Sequence, residues 1–73
     1  MMNTNLLKSY IVRYDRIQKN LADAMGISLS RLNAKINECD GAEFTQSEIS
    51  FMAQRYGLSS ADIEAVFFAR KVS

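Results

Sequence analysis

Four short side chains, Ser30, Asn33, Ala34 and Asn37, recur at steps of three and four residues along the stretch LSRLNAKIN, and on an α-helix that spacing places them on one side. Leu29, Leu32 and Ile36 share the opposite side, so the apolar residues are expected to turn inward and the small polar ones outward. A solvated helix normally covers its outer side with Glu and Lys. Ser and Asn are weaker helix formers, because their side chains compete for backbone hydrogen bonds, and their chemistry is of another kind. An asparagine amide bonds adenine through two atoms at once, a serine hydroxyl suits several base edges, and an alanine lets a helix approach bases closely or meet a thymine methyl. Arg31 and Lys35 stand one turn apart along a flank of the same stretch, where long cationic side chains are expected at backbone phosphates.

For catalysis the chain offers little. It has no histidine, a lone cysteine at Cys39 and no glycine-rich phosphate loop, which removes most zinc sites and the Cys-His and Ser-His pairings of nucleophilic catalysis. Asp15 with Asp23, and Glu38 with Asp40, are nominal carboxylate pairs, and a solvated surface is the expected setting for all four. No enzyme activity, metal, cofactor or small-molecule substrate is expected.

The elements that must present the polar stretch read as helices throughout. Ile17, Leu21, Ala24 and Met25 form one apolar stripe against Gln18, Lys19, Asn20 and Asp23, which predicts a second helix ending at Gly26, a residue suited to a left-handed turn. Ile27 is expected to plug that turn, and Ser28 to cap a third helix starting near Leu29. Upstream, Leu6, Leu7, Tyr10 and Ile11 predict a first helix from Asn5 to about Arg13, capped by Thr4 or Asn5, with Tyr10 and Tyr14 as core aromatics keeping their hydroxyls wet. Downstream, residues 38–43 form the loop out of the third helix. Thr45 and Glu48 make a capping box for a fourth helix that Gly57 ends, with Phe44 placed to staple against Ile49. Ser59 and Asp62 then start a fifth helix running to about Phe68 or Ala69.

Gln18, Leu21, Ala22, Met25, Gly26, Ile27, Ser28 and Leu32 match the positions that define the repressor/Cro-like helix-turn-helix, and the whole chain resembles the short phage-borne transcriptional regulators of that family. The resemblance implies an all-α, compact five-helix domain spanning residues 1–73, with a helix-turn-helix formed by helices 2 and 3. It further implies that the second motif helix lies in the major groove, usually in a dimer on a pseudo-palindromic operator. By the same resemblance Gln18 bonds a phosphate, and Leu29, Ser30, Asn33 and Ala34 read bases. Lys35 departs from the pattern by standing where an apolar residue is common, and Ile36 takes over that packing one place later. The candidate DNA-binding set is therefore Gln18, Lys19, Ser28, Leu29, Ser30, Arg31, Asn33, Ala34 and Asn37.

A chain of 73 residues with a formal net charge of +1 allows one small core, burying about 60% of the surface exposed when unfolded. The charges are segregated: six cations and two anions precede Glu38, whereas three cations and six anions follow from it onward. That asymmetry is expected of a molecule with one side toward phosphates. The lone cysteine agrees with a reducing compartment, and no run of apolar residues is long enough for a membrane span, so a cytoplasmic protein is expected. Two function classes follow: a sequence-specific binder of a double-stranded DNA operator, or a protein-interaction module such as an antirepressor or adaptor. Ile63, Val66, Phe67 and Phe68 are expected to supply a homodimer surface, since adjacent aromatics on a short final helix seldom all face one core.

Overall fold

Helix boundaries in this chain follow from local starting and stopping signals. The computed structural model describes residues 2–68, and they form five α-helices: α1 (Thr4–Tyr14), α2 (Gln18–Met25), α3 (Leu29–Ile36), α4 (Gln46–Tyr56) and α5 (Ser60–Phe67), with a short 3-10 turn at Cys39–Gly41 before α4. No strand occurs among the described residues. α1 starts one residue earlier than expected, because Asn3 supplies the cap, its Oδ1 accepting the Leu6 N–H at 3.1 Å. Both expected capping boxes are present: Thr45 with Glu48 at α4, and Ser59 with Asp62 at α5. α5 ends with Phe68 as its C-cap; the alternative end, Ala69, lies outside the described residues.

Each helix contributes two residues to the core: Leu7 and Ile11, Leu21 and Ala22, Leu32 and Ile36, Met52 and Tyr56, Val66 and Phe67. Removing any of the fully enclosed aliphatic side chains would cost about 2–5 kcal/mol. Two positions of the expected α2 stripe are corrected. Ile17 is 56% exposed, because it is the extended residue before the helix begins and so does not share the helical phase. Ala24 is also exposed, and Ala22 takes the inward place. The expected self-association set divides as well: Val66 and Phe67 close the core, while Phe68 is 50% exposed. Phe44 meets Phe67 edge-on at 5.9 Å between ring centroids and lines one cavity with Ile49, its expected partner.

Two ion pairs tie distant segments together. Asp15, expected at a solvated surface, is 5% exposed. Its carboxylate accepts from Arg55 Nε at 3.1 Å and from the Tyr56 hydroxyl, locking the α1–α2 corner to the end of α4. Above Asp15 the rings of Tyr14 and Tyr56 stack at 5.4 Å, with Tyr10 at 6.3 Å from each; Tyr10 is half-buried, but Tyr14 is exposed rather than a core aromatic. The second pair joins α3 to α4 through Lys35 and Glu48. Residues 2–4 bond to three later parts of the chain: the Asn3 N–H donates to the Val66 carbonyl at 2.7 Å, the Thr4 hydroxyl to the Ile36 carbonyl at 3.2 Å, and the Met2 N–H to Glu38 Oε1 at 3.1 Å.

Candidate nucleic-acid interface

α2 and α3 pack directly against each other across a three-residue connection. Gly26 takes φ 75° and ψ 27°, a left-handed conformation that costs a residue with a Cβ about 1–2 kcal/mol. Ile27 follows half-buried, and its N–H donates to the Ala22 carbonyl at 3.0 Å, closing the end of α2. Ser28 then caps α3, its Oγ accepting the Arg31 N–H at 3.1 Å. The hydroxyl that caps is thus already an acceptor within the chain, and its proton remains for an outside partner.

Around α3 the sides separate as the spacing predicts. Leu32 and Ile36 are buried, whereas Ser30, Arg31, Asn33 and Asn37 are exposed and Ala34 is half-buried. Leu29, which periodicity sets with Leu32 and Ile36 and the family resemblance turns toward bases, is 45% exposed. As the first helical residue it lies at the border of the buried stripe, with no further turn before it to pack over. On α2, Lys19 is exposed and Gln18 half-buried. Lys19 Nζ lies 3.2 Å from Asp23 Oδ2 one turn on, a solvated pair that an external phosphate readily exchanges.

Lys35 is the main correction to the site. It was expected on the flank with Arg31, reaching phosphates, but it is 5% exposed, and its ammonium donates to both Glu48 oxygens at 2.6 and 2.9 Å. Its Nζ also lies 5.9 Å from the centroid of the Phe44 ring. Lys35 follows Leu32 by three residues, which carries it onto the buried side, and Glu48 waits there as the third residue of α4. Burial pushes the Glu48 carboxyl up, but the Lys35 ammonium and the Thr45 N–H hold it below its ordinary value.

The remaining charge pattern is uneven. α3 itself contains no carboxylate, and Arg31 projects from it. The loop beyond carries exposed Glu38, Asp40 and Glu43, so the sign of the surface reverses at the C-terminal end of α3. Glu38 and Asp40 both take positive φ, 53° and 52°, which turns the chain sharply away from the axis of α3. Along α4, a cavity of about 340 Å³ lined in part by Phe44, Ile49 and Phe68 adjoins a second of about 340 Å³ lined in part by Ile49, Ala53, Ile63 and Phe68.

Chemically, the exposed side of α3 offers hydroxyl and amide groups that donate and accept, an aliphatic side chain at each of Leu29 and Ala34, and one guanidinium. Among the described residues no group of three or more His, Cys, Asp or Glu could hold a metal ion, and no helix is long and apolar enough to cross a membrane. The cluster of buried Asp15 and Tyr56 with Arg55 had no local signal, since 40 residues separate the charged partners. Comparison with protein-family models, with curated proteins and with solved structures finds no match to this chain.

Proposed function

We propose that this chain binds double-stranded DNA sequence-specifically as a small Cro/repressor-like regulator in the cytoplasm, with α2 and α3 as its helix-turn-helix and α3 in the major groove. The observation that carries this reading is the exterior of α3: an eight-residue helix without a carboxylate, capped by Ser28, whose exposed positions are Leu29, Ser30, Arg31, Asn33 and, at its C-cap, Asn37. Ser30, Asn33, Ala34 and Leu29 meet base edges; Gln18, Lys19, Ser28 and Arg31 hold the phosphate backbone. Regulation then consists in occupying an operator and excluding polymerase or a competing regulator. A homodimer belongs to the same reading, with half-exposed Phe68 between the two α4 cavities as its contact and the two α3 helices about 34 Å apart. Sedimentation that gives monomers at all concentrations, with and without operator DNA, removes the dimer.

Selection on random DNA followed by a salt titration tests the proposal. The log of the affinity for the selected site should fall steeply and linearly with the log of salt concentration. Asn33→Ala should cost about 1–3 kcal/mol on that site and relax one base pair, whereas Lys19→Ala should weaken all sequences alike and lower the salt slope by about one. A second reading, a protein-interaction module, is favoured by the net charge of +1 and by the trough along α4, where Phe44, Ile49 and Phe68 stand among Lys35, Glu38, Glu43 and Gln46. It requires binding that responds weakly to salt and selects no DNA.

A further inference from the structure

A hydrogen bond between two side chains lies on the exterior of α3, and it joins two asparagines: Asn37 Nδ2 donates to Asn33 Oδ1 at 2.9 Å. An asparagine amide has two N–H donors and an oxygen with two lone pairs. With this bond made, Asn33 retains both donors and one lone pair, enough for the two-atom contact to a base. Asn37 is the C-cap of the helix, where its own N–H donates to the Asn33 carbonyl. It therefore sits a full turn beyond Asn33, about 6 Å farther along the axis.

Left alone, each exposed amide turns over freely and offers its oxygen and nitrogen in either order. Paired, they cannot turn independently: an oxygen on one must face a nitrogen on the other, so four combinations become two. We infer that Asn37 is a positioning residue that acts through Asn33, holding its amide in place and tying the order in which the Asn33 oxygen and nitrogen meet a base edge to the order of its own amide. This rests on the DNA-binding reading proposed above. Adenine presents a donor and an acceptor in the major groove, and a two-atom contact succeeds only when the amide's order matches. Base preference at the pair read by Asn33 is accordingly a property of two residues, one of which does not touch the base.

Binding of Asn37→Ala, Asn33→Ala and the double variant to the selected operator and to its versions altered at each base pair tests the inference, with circular dichroism confirming the helical fold. Asn37→Ala should lower the preference at the Asn33 base pair about tenfold, the low end of what a two-atom contact confers, and the double variant should be no worse than Asn33→Ala. Asn37→Asp can only accept, so Asn33 must turn over to donate, and the preferred base at that position should change rather than merely weaken. In the free protein, Asn33→Ala should also move the Asn37 side-chain amide resonances. Full preference retained in Asn37→Ala, losses that multiply in the double variant, or unmoved Asn37 resonances would each overturn the inference while leaving salt-dependent DNA binding in place. Absence of any selective, salt-dependent binding overturns both.

Discussion

The buried cluster at the α1–α2 corner supports a prediction in which two removals of one ion pair differ in cost. The Asp15 side chain is 3% exposed and the Arg55 side chain 36%. In Arg55→Met, which keeps part of the aliphatic stem, the Asp15 carboxylate stays enclosed with the Tyr56 hydroxyl as its remaining side-chain partner, and an uncompensated buried charge costs about 3–5 kcal/mol. In Asp15→Ala, the partly exposed guanidinium rehydrates, and the main residue of damage is an orphaned Tyr56 hydroxyl at about 1–3 kcal/mol. Arg55→Met should therefore be the more damaging by about 2 kcal/mol, a large share of the roughly 4–11 kcal/mol available at about 0.05–0.15 kcal/mol per residue. Acid should narrow the gap between the parent and Arg55→Met. Hydrogen bonds from Arg55, aided by Tyr56, hold the Asp15 carboxyl below its ordinary value against its burial. The parent's Asp15 contribution is thus complete above the unfolded value of about 3.9 and fades as pH falls through the lower folded one. Without Arg55, Tyr56 alone is left to oppose the burial that raises that carboxyl, so the cost of the variant shrinks as acid protonates Asp15. Urea unfolding followed by circular dichroism at pH 7, 5 and 3.5 measures both effects. Equal costs for the two variants, or a parent-to-Arg55→Met gap that does not narrow toward pH 3.5, would refute the account of the cluster.

Two further predictions follow from the same kind of reasoning. Because the Lys35 ammonium is bound to Glu48, Lys35→Met should leave the salt slope of DNA binding unchanged, in contrast to Lys19→Ala. Combined with Glu48→Gln, which still caps α4, it should fold with equal or greater stability in urea, as buried pairs replaced by neutral groups often do. Gly26→Ala places a Cβ with nothing within 4 Å, so its cost should be conformational only, about 1–2 kcal/mol, or a fall of roughly 4–8 °C in Tm per kcal/mol. A thermal melt showing a loss above about 3 kcal/mol would mean that packing, not backbone preference, governs that turn.

Elements with local causes were legible in the sequence. Gly26, Gly57 and the Thr45 and Ser59 boxes act within one turn of themselves, and each stands where the sequence placed it. The exterior of α3 was legible for the same reason, since its sides follow from a fixed rotation per residue. Asp15 and Lys35 were not. Their environments are set by partners 40 and 13 residues away, and a carboxylate or ammonium beside an apolar stripe looks solvated until the partner helix is in place. Ile17 failed through phase: a residue that precedes the first helical turn has no side to share with it.

The stitching of residues 2–4 to Val66 and Ile36 also bears on how the molecule is made. Synthesis delivers Asn3 first and Val66 63 residues later, at about 5–20 residues per second. For that interval of seconds, α1 through α4 can form turns and begin to pack, but the seam that joins the beginning of the chain to α5 cannot close until Val66 has left the ribosome. α5 is made after the four helices it closes against, so a ribosome stalled before α5 should hold an open, protease-sensitive chain.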